Sequence, residues 1–65
     1  MTFLDSKPIN IRKYVYKKMN NEWEFLHTFL SIEGAREYVN DHGRQFGGGD
    51  YQIREVETVI EDIVV

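Results

Sequence analysis

The chain has 65 residues, a formal net charge of −3 and no cysteine. That length makes one domain spanning 1–65, too short for a second, and a monomer of this size buries only about 60% of its unfolded surface. Disulfides and thiolate metal sites are excluded, so stability has to come from oligomerisation or from a core rich in the aromatics that make up 14% of the chain.

Residues 1–8 read as an N-terminal arm ended by Pro8, with Phe3 and Leu4 expected to dock on the body. Met1-Thr2-Phe3-Leu4-Asp5 lacks the basic start and apolar run of a signal peptide, and no segment approaches the ~20 apolar residues of a membrane span. A cytoplasmic protein with no membrane contact is expected.

Two strands follow, Ile9–Met19 and Glu22–Leu30, joined at Asn20-Asn21, residues that tolerate the positive φ of a two-residue turn. Folded there, Tyr16 falls opposite Phe25, Lys18 opposite Trp23, Tyr14 opposite His27 and Arg12 opposite Phe29, which makes one face nearly all aromatic. The other face carries Lys17 opposite Glu24, Val15 opposite Leu26 and Lys13 opposite Thr28, and reads as the side that meets water. The aromatic face is therefore expected to be the core.

Ser31 offers a helix N-cap. Ile32, Ala35, Tyr38, Val39 and His42 then form an apolar stripe, and Gly43 is the expected left-handed stop. Gly47-Gly48-Gly49 lies in a loop, and Tyr51–Glu57 is a third strand with Tyr51 and Ile53 on one side. Beyond Glu55 the apolar parity switches, which predicts a bulge or break. Val59–Val65 is β-prone: it is a fourth strand, the end of a long third strand, or a segment that pairs with another molecule. The fold class predicted is α+β, a small antiparallel sheet of order ββαβ with room for a short fourth C-terminal strand, packed on one α-helix. The uncovered apolar end also predicts a homodimer. In size and layout, the hairpin followed by a Ser-capped helix containing Ala35-Arg36-Glu37-Tyr38-Val39 and a strand resembles small accessory proteins of phages and mobile elements.

Chemistry is sparse. His27 and His42 are the only histidines, and both read as semi-buried packing residues; no metal site and no cofactor are expected. Ser6 lies in the arm, Ser31 is accounted for as a cap, and no nucleophile has an evident base. The glycine run lacks the following helix and the Lys-Ser/Thr pair of a phosphate loop. These absences make an enzyme the least expected class.

Two surfaces remain. Glu33, Glu37 and Asp41 recur every fourth residue as an acidic ridge, a spacing that costs a helix a few tenths of a kcal/mol per pair. Joined by Glu57, Glu61 and Asp62, they would suit a basic protein partner. Arg12, Lys13, Lys17 and Lys18, interleaved with Tyr14 and Tyr16, would suit single-stranded nucleic acid, provided the rings face solvent. The first expectation is a non-catalytic protein-interaction module, an inhibitor or adaptor acting through acidic surface or sheet edge. The alternative is a nucleic-acid-binding module using the first strand.

Overall fold

The computed structural model of the protein describes residues 11–65, so the expected docking of Phe3 and Leu4 falls outside the described residues. Strands β1 (Lys13–Met19) and β2 (Glu22–Phe29) precede helix α1 (Ile32–Phe46), and β3 (Asp50–Glu55) and β4 (Thr58–Val64) follow it. The four strands form one antiparallel sheet in the order β2-β1-β3-β4. The α+β fold is as expected, with the C-terminal segment present as a fourth strand paired to β3 of its own chain.

Each hairpin turns on two residues. Asn20 and Asn21 both take positive φ, 53° and 67°, as their side chains allow. From that turn the expected register holds as far as Tyr16 opposite Phe25, then shifts: Val15 pairs with His27, Tyr14 with Thr28 and Lys13 with Phe29. Leu26 is the extra residue of a β-bulge. Leu26 packs on the core and the His27 ring lies 5.6 Å from the Tyr38 ring of α1, so both lean to the helix side. The expected pairs Tyr14–His27, Arg12–Phe29, Val15–Leu26 and Lys13–Thr28 are therefore each off by one. In the second hairpin Ile53 pairs with Glu61 and Arg54 with Val59, which leaves Ile60 as the extra residue. The break foreseen near Glu55 is thus a turn at Val56-Glu57 with a bulge behind it.

Helix α1 starts where Ser31 accepts a hydrogen bond from the Gly34 amide at 3.1 Å. It runs past Gly43 to Phe46 and stops at Gly47, whose φ of 83° an L-residue rarely adopts. Gly43 is instead a buried interior residue, because a Cβ there would overlap the Val65 side chain. Val65 is held in place by paired backbone hydrogen bonds with Gly49, each 3.0 Å.

The helix covers the face that was expected to meet water. Val15, Ala35, Val39, Tyr51 and Ile53 are fully buried together, with Leu26, Phe29, Ile32, Tyr38 and Ile63 packed around them. The reason lies in β3. Its pairing with β1 sets Ile53 beside Val15 and Tyr51 beside Lys17, while Arg54 and Gln52 fall beside Tyr14 and Tyr16. Burying the aromatic face would bury a guanidinium and an amide as well, a cost of several kcal/mol without partners. Burying the other face encloses polar groups that have partners: Lys17, 9% exposed, has its ammonium 5.4 Å from the Tyr51 ring, Lys13 is paired with Glu55, and the Tyr51 hydroxyl is bonded to His42.

Two consequences are measurable. Ile53→Ala should cost about 2–5 kcal/mol, whereas Phe25→Ala, at a ring that is 53% exposed, should cost under about 1.5 kcal/mol by denaturant titration. Val56 has φ 57° and is 72% exposed, so it bears left-handed strain with little packing in return. Val56→Asn should stabilise by about 1 kcal/mol, read as a melting temperature higher by about 4–8 °C.

Candidate functional site

With α1 on one side, the opposite sheet face is built by the even-numbered positions of β1 and β3, together with the β2 and β4 residues paired to them. Tyr14 and Tyr16 alternate along β1, and Phe25, opposite Tyr16, reaches both. The ring centroids of Tyr14 and Phe25 are 6.0 Å apart and those of Tyr16 and Phe25 5.8 Å, contacts of tilted and edge-on geometry. Trp23 faces Lys18 across the hairpin, with the Lys18 ammonium 5.8 Å from its ring. The Arg54 guanidinium lies 4.1 Å from the centroid of Tyr16 and 5.8 Å from that of Trp23. Its Nε donates to Gln52 Oε1 at 3.0 Å, and Gln52 Nε2 donates to Asp62 at 2.8 Å.

Lys18 and Arg54 thus have rings as neighbours, and among the described residues neither is in a salt bridge. Arg54 did not stand out in the sequence, since nothing local reveals which strand lies beside β1. Its position after two alternating apolar residues, Tyr51 and Ile53, is the only available signal that it shares a face with Gln52 and opposes the core.

The basic residues singled out in the first strand are divided by this geometry. Lys18 is on the aromatic face, and exposed Arg12 precedes the strand. Lys13 is on the helix side, bridged to Glu55 at 3.1 Å and donating to the Ile11 carbonyl at 2.9 Å. Lys17 is buried on that side too.

The acids singled out do not form one surface either. Glu33, Glu37 and Asp41 are exposed on the helix, where Asp41 accepts from Arg44 at 3.0 Å. Glu57 is in the β3–β4 turn, and Asp62 is on the aromatic face. Glu61 fastens β4 to the helix: Arg36 donates to its carboxylate through Nε at 3.0 Å and Nη2 at 2.6 Å. That hydrogen bond holds the Glu61 carboxyl below its ordinary range and raises the guanidinium above its own.

His27 and His42 both pack on Tyr38 at 5.6 Å, and His42 also contacts Phe46 at 4.5 Å. The Tyr51 hydroxyl and His42 Nδ1 share a hydrogen bond of 2.7 Å. No three His, Asp or Glu side chains among the described residues converge as a metal would require. No helix among them is long and apolar enough to cross a membrane.

Compared with known proteins, the chain matches no family model, no curated protein and no solved structure. The functional reading therefore rests on the geometry alone.

Burial, and then the charge of Lys17, lower the pKa of His42. A depressed folded-state value means the unfolded chain takes up the proton first. The stabilisation is complete above the ordinary histidine pKa of about 6.5 and is lost as pH falls below it. The urea midpoint should decline as pH is lowered from 7 to 5.5, and His42→Phe, which keeps the ring contacts, should flatten that part of the profile.

Proposed function

We propose that this chain is a non-catalytic binding module whose helix-free sheet face takes single-stranded nucleic acid. The observation that carries the reading is the Arg54 guanidinium, without a salt-bridge partner among the described residues, lying over the Tyr16 ring and 5.8 Å from that of Trp23, within a group of half-exposed and exposed rings. Bases stack on such rings with about 1–3 kcal/mol each, whatever their identity. A cation among rings supplies a phosphate contact and a further stacking plane. A basic partner for the acids has less support, because Glu61 is already bonded to Arg36, Asp62 to Gln52 and Asp41 to Arg44.

Fluorescence anisotropy with a labelled oligonucleotide tests this. Phe25→Ala and Arg54→Gln should each weaken binding at least fivefold while the circular dichroism spectrum and melting curve persist. The triple change Glu33→Gln, Glu37→Gln and Asp41→Asn should leave binding undiminished. If no oligonucleotide binds at 100 μM, and light scattering instead shows a dimer that Phe25→Asp dissolves, the face is a contact between copies of the chain and the nucleic-acid reading is wrong.

A further inference from the structure

We infer that the aromatic face holds a short unstacked strand of about four nucleotides and contacts only two of its phosphates, so that binding is carried by stacking and tolerates salt. This rests on the nucleic-acid reading and deepens it.

The orientation of the rings disfavours a duplex. The rings of Tyr14, Phe25 and Tyr16 touch one another but are inclined, by 52° between Tyr14 and Phe25 and by 67° between Tyr16 and Phe25. Bases lying on rings so inclined cannot stay parallel to one another, as the stacked bases of a duplex do.

The group of rings is short. Tyr14 to Lys18 spans four residues of strand, about 13 Å at 3.3 Å per residue. Tyr14 and Tyr16 on β1, with Phe25 and Trp23 beside them on β2, are the four rings within that length. The rest of the face adds no further ring or cation: apart from Arg54, β3 and β4 present Gln52, Asp62, Asp50, Val59 and Val64. Two carboxylates turn a polyanion back toward β1 and β2.

Positive charge beside the rings is sparse. Within the ring area the cations are Lys18 and Arg54, and both lie 5.8 Å from Trp23. Trp23 is thus the anchor, with one phosphate contact available on each cation. The other basic side chains described are elsewhere: Lys13 and Lys17 are on the helix side, Arg36 and Arg44 are bonded on the helix, and Arg12 lies beyond the last ring. For a single strand the salt slope is about −0.7 per neutralised phosphate, which gives about −1.4 for two.

Trp23 is the only tryptophan in the chain, so its fluorescence reports on the site directly. The intact protein is titrated with oligothymidylates of 2, 4, 8 and 16 nucleotides, and with a 16-base-pair duplex, from 50 to 500 mM sodium chloride. The expected result is quenching by the single strands, a per-site affinity that stops rising at about four nucleotides, and a slope of log K against log salt near −1.4. The duplex should bind at least tenfold more weakly. Arg54→Gln should reduce the slope by about 0.7 while its melting curve stays that of a folded protein. A slope steeper than about −3, equal binding of the duplex, or affinity that climbs through 16 nucleotides would overturn the short stacking site while leaving nucleic-acid binding in place. No binding of any strand would overturn both.

Discussion

A single helix can cover only one face of a four-stranded sheet, and the rest of this structure follows from which face it covers. One side of the first hairpin carries Tyr14, Tyr16, Trp23 and Phe25, yet α1 packs on the other. Strand β3 decides the matter, because Ile53 and Tyr51 lie on one side and Arg54 and Gln52 on the other. Ala35 and Val39 then bring the helix backbone close to Val15 and Ile53, and the resulting core is small and fully sealed. The rings are left with one another and with a guanidinium. They are half-covered by mutual contact, which limits the cost of exposure and keeps them in a fixed array.

Much of this was legible from local signals and the remainder was not. The Asn20-Asn21 turn, the Ser31 cap, the helical stripe and the third strand follow from short-range chemistry, and the structure has each of them. The helix stop was misplaced because Gly43 carries a tertiary role, the close approach of Val65, that no local pattern reveals. The hairpin register failed at Leu26 because unbroken alternation through Trp23, Phe25, His27 and Phe29 is what a regular strand would show; the bulge puts Leu26 and His27 on one side. The larger error, the choice of buried face, arose because β1 and β3 are far apart in the chain and their pairing cannot be inferred from either alone. Of the candidate site, the rings and Lys18 could be named in advance. Arg54 could not, since its place beside Tyr16 exists only once that pairing forms.

The charges are sorted by the same geometry. The acidic ridge Glu33, Glu37 and Asp41 is on the helix, while Lys18 and Arg54 are on the opposite side of the sheet. A molecule with net charge −3 thus presents a cationic, aromatic patch turned away from much of its negative charge. Such a patch has little long-range pull on a polyanion, and its affinity must come from contacts made after encounter.

The two bulges occupy equivalent places. One interrupts β1–β2 between Val15 and Tyr16, the other β3–β4 between Ile53 and Arg54, and Val15 and Ile53 are direct partners. The domain is in this sense two similar hairpins joined back to back along their first strands, with the helix as the connection. Each hairpin closes over a two-residue turn, so its contacts are local and quick to form. The Val15–Ile53 seam is the one pairing that must wait for a long loop to close, at an entropic cost neither hairpin faces. That seam, with α1 lying over it, is what makes the two hairpins one sheet around one core.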